Sequence, residues 1–138
     1  MRMILALLAT ATAFAPALAA GPVTIKVAMT GAVEVPTGDP DGTGTASVTI
    51  DPAKGQICYT LTATGIDTAT MAHIHKGAAG VAGPVVVPLD PPATGSSSGC
   101  KPVEPAVITA ILAAPSDYYV NIHTAAFPKG ALRGQLGG

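Results

Sequence analysis

The sequence is poor in what most nucleic-acid-binding and catalytic surfaces are built from. Its 138 residues include no tryptophan, two phenylalanines and three tyrosines, and only 11% are charged. Seven basic and eight acidic side chains give a formal net charge of −1, and they are spread singly along the chain. With no basic stripe, arginine cluster or aromatic stacking set, the composition does not support nucleic acid as a partner. No glycine-rich loop leads into a helical pattern and no Gly-x-Ser-x-Gly elbow occurs, so the usual marks of nucleotide enzymes and serine hydrolases are missing. No apolar run reaches the length of about 18 residues that a membrane-spanning helix needs. Cys-x-x-Cys is absent too, which argues against redox catalysis or thiolate ligation.

What is present begins with an address. Met1-Arg2-Met3 supplies a positive start, Ile4 to Ala15 a short apolar run, and Ala17-Leu18-Ala19 a small-x-small cleavage pattern. Residues 1–19 therefore read as a cleaved secretory signal, with a mature chain beginning at Ala20 or Gly21 and a secreted or periplasmic destination. The two cysteines, Cys58 and Cys100, fit an oxidising compartment as one disulfide. Closing that loop stabilises the fold by about 4 kcal/mol in the chain-entropy account.

The mature chain, residues 20–138, reads as one domain. Alternating apolar and polar residues predict strands over Val23–Met29, Thr45–Ile50, Gln56–Ala63, Met71–His75, Pro84–Leu89, Tyr118–Thr124 and Leu132–Leu136. Val107, Ile108, Ile111 and Leu112 fall at helical spacing between Pro105 and Pro115, which predicts one short helix over 105–114. Asp90 to Gly99, with its prolines and serines, reads as the most flexible stretch, stapled at its end by Cys100. Many short strands with frequent turns define the fold class as all-β, a Greek-key β-sandwich with one short helix.

All three histidines fall in two of these strands, Ala72-His73-Ile74-His75 and Val120-Asn121-Ile122-His123. Side chains alternate faces along a strand, so His73 and His75 share one face and His123 lies opposite the apolar Val120 and Ile122. Two readings fit. The imidazoles can hold loops by hydrogen bonds to backbone carbonyls, with Asn121 as a further loop anchor. Alternatively His73, His75 and His123 can bind a metal, copper or zinc, if strand order brings them together.

Several segments together resemble the chordin-type, or CHRD, domain. They are Met29-Thr30-Gly31-Ala32-Val33-Glu34-Val35-Pro36, Gly42-Thr43-Gly44-Thr45-Ala46, Met71-Ala72-His73-Ile74-His75, Gly80-Val81-Ala82-Gly83-Pro84-Val85-Val86, Tyr118-Tyr119-Val120-Asn121-Ile122-His123-Thr124 and Phe127-Pro128-Lys129-Gly130-Ala131-Leu132-Arg133-Gly134-Gln135-Leu136. The resemblance covers nearly the whole mature chain in family order. It implies an extracytoplasmic, non-enzymatic binding or structural module with an unidentified protein or ligand as partner. The Gly-rich loops Lys76–Gly83 and Asp90–Gly99 are then the expected contact surface. The histidine strands also resemble those of copper-zinc superoxide dismutase, another Greek-key sandwich with a His-x-His strand and a distant strand histidine. This chain has no histidines for a zinc site, so that likeness implies a mononuclear copper protein for copper handling, or copper-only dismutase-like activity. In that case Arg133 steers an anion; otherwise it is a solvated charge.

Overall fold

Each strand forms where apolar side chains recur at every second position, and the structure turns that parity into one buried face. The computed structural model describes Ala13, Ala15 and residues 20–138, and apart from those two alanines the expected signal segment 1–19 lies outside the described residues. The strands are β1 (Val23–Thr30), β2 (Thr43–Asp51), β3 (Gln56–Thr64), β4 (Ala69–Lys76), β5 (Val85–Leu89), β6 (Ser96–Pro102), β7 (Tyr118–Thr124) and β8 (Leu132–Gln135). Val27 and Met29, Val48 and Ile50, Ile57 and Leu61, Ala72 and Ile74, Val120 and Ile122 point to a common core. Fully burying each of the larger aliphatic side chains contributes about 1.5–3 kcal/mol.

The strands make a single eight-stranded sheet in the order β5-β4-β7-β8-β1-β2-β3-β6. All adjacent pairs are antiparallel. β5 and β6, the two edges, approach one another and nearly close the sheet into a barrel. The all-β expectation holds, and the two layers are halves of one sheet. β5-β4-β7-β8 faces β1-β2-β3-β6 over a common core, and a single pair, Thr30 with Arg133, joins them between β1 and β8. Pairing of β6 with β3 around the intervening β4–β5 hairpin gives the Greek-key crossing.

The helix α1, Pro105–Ala113, starts on Pro105 and is followed by Pro115, and buries Ile108 and Ile111. Proline lacks the donor a helix start does not need and cannot prolong a helix end, so both boundaries were visible in the sequence. No helix among the described residues is long and apolar enough to cross a membrane.

The Asp90–Gly99 stretch differs from expectation. Ser96 to Gly99 belongs to β6, which pairs with β3 along its whole length, Cys58 directly opposite Cys100. An edge strand is held by backbone hydrogen bonds, and Ser-Ser-Ser-Gly satisfies those without the apolar alternation that marks a strand. The Cys58–Cys100 disulfide therefore ties two neighbouring strands rather than a loose surface loop. Tyr59, Asp90 and Lys101 brace the same edge: the Tyr59 hydroxyl donates to Asp90 Oδ2 at 2.8 Å and Lys101 Nζ to Asp90 Oδ1 at 2.9 Å.

Candidate metal centre

The strand order answers the question parity left open. β4 lies beside β7, with His73 opposite Asn121, His75 opposite Tyr119 and Met71 opposite His123. β7 in turn lies beside β8, with Asn121 opposite Arg133 and Tyr119 opposite Gln135. Residues paired across an antiparallel ladder share a face. Met71, His73, His75, Tyr119, Asn121, His123, Arg133 and Gln135 therefore form one polar surface on the outside of the sheet.

That surface is not open to water. Every residue of β7 is buried, and among the polar residues His75, His123, Asn121, Arg133 and Glu34 are buried as well. The cover is the Gly77–Gly83 loop, and the face beneath it holds that loop by its backbone. Arg133 donates to the carbonyls of Val81 and Ala78, both at 2.8 Å, and Gln135 donates to the Gly77 carbonyl at 3.0 Å. The Tyr119 hydroxyl accepts from the Gly83 N–H at 3.1 Å. Arg133 lies 3.5 Å over the Tyr119 ring, and Tyr119 stacks on His75 with 1° between the planes. Arg133 is thus neither a solvated charge nor free to steer an anion. Tyr118, on the opposite face, joins the core.

The three imidazoles converge. Ring centroids are 5.3 Å apart for His73 and His75, 4.9 Å for His73 and His123, and 6.2 Å for His75 and His123. One nitrogen from each ring lies within 4.8 Å of the others. Across a tetrahedral site with bonds of about 2.0–2.1 Å the nitrogens stand roughly 3.3 Å apart, against the separations of up to 4.8 Å found here.

Protons can be placed by asking what each atom is able to do. His75 Nδ1 meets the Gly83 carbonyl at 2.8 Å and His123 Nδ1 meets the Pro128 carbonyl at 2.9 Å. A carbonyl only accepts, so both Nδ1 atoms carry hydrogen, and in a neutral ring Nε2 is then a bare lone pair. Both Nε2 atoms lie 3.0 Å from one end of the Asn121 amide. His123 Nε2 also lies 3.1 Å from His73 Nδ1, which can donate to it, so the NH2 end of Asn121 is required at His75 Nε2. Asn121 is thus a bridge between imidazoles rather than the loop anchor expected of it; His75 holds the loop. Loop holding and metal binding use different nitrogens of the same ring, so the two readings of the histidines are compatible.

Electrostatics favour bare nitrogens. Burial, reinforced by the neighbouring His123 and His75, lowers the His73 pKa to about 4. Burial also lowers that of His123, against the pull of the Pro128 carbonyl. Next to the cluster sits Glu34, whose carboxyl is pushed up by burial, with the Val35 N–H, Arg133 and Asn121 opposing. Its Oε1 accepts from the Val35 N–H at 3.1 Å, while its buried Oε2 has no partner.

Glu34 was visible in the sequence only as part of a family motif; no pattern marked it as buried beside the histidines, because it arrives from the loop after β1. Among the described residues the histidines are a cluster of at least three ligand-type side chains that could hold an ion.

Fold and site together define a disulfide-tied antiparallel β-domain with a loop-covered imidazole cluster on its outer surface. The CHRD domain family matches residues 25–136, and the chain belongs to that family. No curated protein and no solved structure matches it, so the likeness to superoxide dismutase has no support from comparison. CHRD domains are extracellular or periplasmic, and the disulfide is consistent with such an address.

Proposed function

We propose that this CHRD domain is an extracytoplasmic binding module that holds one copper ion through His73, His75 and His123. The observation that carries the reading is the convergence of three imidazoles, two of which have Nδ1–H tied to a backbone carbonyl and Nε2 turned inward. Metal-binding histidines are commonly oriented in that way. An all-imidazole set without carboxylate or thiolate suits copper and zinc, and the Irving–Williams order places Cu(II) above Zn(II). The lowered pKa values of His73 and His123 keep protons from competing for the site at neutral pH.

The domain is read as a carrier or store rather than a dismutase, because Arg133, the residue that reading needs at the surface, has its guanidinium engaged by Gln135 and two carbonyls. The test is titration of the metal-free protein with Cu(II) and Zn(II), beside His73→Ala, His75→Ala and His123→Ala. One equivalent of Cu(II) bound by the wild type and lost in His73→Ala, with an unchanged circular dichroism spectrum, is the expected result. A wild type that takes up no stoichiometric copper ends the proposal.

A further inference from the structure

The outward face of β4 carries one more potential ligand in phase with the histidines. Met71, His73 and His75 stand at alternate positions, and Met71 pairs directly across the ladder with His123. Its side chain is 46% exposed, unlike Met29, which is buried in the core. An isolated exposed apolar residue is ordinary on a protein surface; one in register with a three-imidazole cluster is not explained by packing.

Local backbone structure points the same way. The register between β4 and β7 shifts between Ala69 and Met71, so that Thr70 is an extra residue between the pairs Ala69–Thr124 and Met71–His123. The Thr70 hydroxyl closes this bulge by donating to the His123 carbonyl at 3.3 Å. Bulges re-aim side chains, often beside functional sites. Here the bulge lets Ala69 return to the core while Met71 stays on the face of the histidines.

The deep side of the cluster is filled by Asn121 and by the Gly83 and Pro128 carbonyls. Its shallower flank is His73, the one histidine of the three that is only half-buried. Met71 adjoins that flank on both counts: it neighbours His73 along the strand and His123 across it. Cβ atoms paired across a ladder are about 4.5–5.5 Å apart, and a methionine side chain is unbranched and flexible enough to span such a gap.

We propose that the Met71 thioether is the fourth ligand of this centre and makes it selective for Cu(I) over Zn(II). The inference rests on the three-histidine reading above. Thioether sulfur is a soft donor that favours Cu(I) and gives Zn(II) little, so an imidazole set that serves both metals becomes a copper site able to hold the reduced ion. Met71 is exposed to solvent, so an incoming Cu(I) ion can reach it.

Met71→Leu keeps volume and apolarity at an exposed strand position. The full protein and this variant are compared by competition for Cu(I) against the chelator bicinchoninate, by titration with Cu(II) and Zn(II), and by X-ray absorption of the Cu(I) form. In the variant, Cu(I) affinity is expected to fall at least tenfold, with Zn(II) affinity unchanged and Cu(II) affinity within about threefold. The Cu(II)/Cu(I) potential falls with it, by about 59 mV for each tenfold change in the ratio of the two affinities. A sulfur scatterer bound to copper in the wild type disappears in the variant. Stoichiometric metal binding with Cu(I) affinity and sulfur signal equal in both proteins overturns the Met71 assignment while leaving the histidine site standing. A wild type that binds none of the three ions overturns both.

Discussion

The outward surfaces of the two halves of the sheet are built on opposite terms. On β1, β2 and β3 the outer face is a ladder of hydroxyls: Thr24 with Thr49, Thr43 with Thr64 and Thr45 with Thr62, all exposed and bonded at 2.6–3.0 Å. On β4, β7 and β8 the same geometric surface carries histidines, a tyrosine, an amide and an arginine, and is sealed by the Gly77–Gly83 loop. The sheet already has its hydrophobic face on the inside, so folding does not require the outside to be covered. Covering polar groups costs free energy unless each one finds a partner. The histidine half bears that cost with carbonyl, amide and guanidinium contacts, while the threonine half avoids it by staying wet. A surface that accepts such a cost without folding's needing it is where function is to be sought.

The contrast is broken most severely at Arg133. Arg133→Ala removes donors from the Val81 and Ala78 carbonyls, unstacks Tyr119 and leaves Glu34 without its nearest cation. Destabilisation of about 3–5 kcal/mol, the scale for breaking a buried charged network, is expected in chemical denaturation. A loss below about 1 kcal/mol would mean that the cover loop is not held by the guanidinium.

A middle-sized effect separates the halves by pH. The His73 pKa is about 4 in the folded protein against an ordinary value of 6.5. Between those values the unfolded chain binds a proton that the folded one refuses. This contribution is complete above pH 6.5, shrinks as pH falls from 6.5 towards 4, and stops changing below 4. Allowing for partial exposure, metal-free wild type is expected to lose on the order of 1–2 kcal/mol more over that range than His73→Gln. Parallel curves of melting temperature against pH for the two proteins would refute it.

The smallest effect belongs to the wet half. Thr45→Ala deletes an exposed hydroxyl pair with Thr62 and is expected to shift stability by no more than about 0.5 kcal/mol, read by the same denaturation experiment. A cost approaching that of Arg133→Ala would erase the distinction between the two surfaces.

Much of the fold was legible because most core strand positions obey period two: Ile57, Tyr59 and Leu61, or Ala72 and Ile74, announce their buried side. β6 was not, since a run of serine and glycine has no apolar face to announce and its strand state comes from its neighbour β3. At the site, parity alone put His73, His75 and His123 on outer faces. Their convergence needed the adjacency of β4 and β7, which are separated in sequence by β5, β6 and α1. The burial of Arg133 and Glu34 was hidden for a related reason: the loops that cover them carry mainly glycine and alanine, and they bond through backbone atoms that no residue type reveals.

The single pair that joins β1 to β8 has a dynamic consequence. Two four-stranded ladders meet at Thr30 and Arg133, and the same arginine grips the loop that seals the histidines. Local opening of a native protein favours places where few contacts hold neighbouring units together. Parting of that seam and release of the loop are then one fluctuation, and the amides of β8 and of Gly77–Gly83 should trade their hydrogens for deuterium as a single cooperative unit, ahead of the β2–β3 ladder.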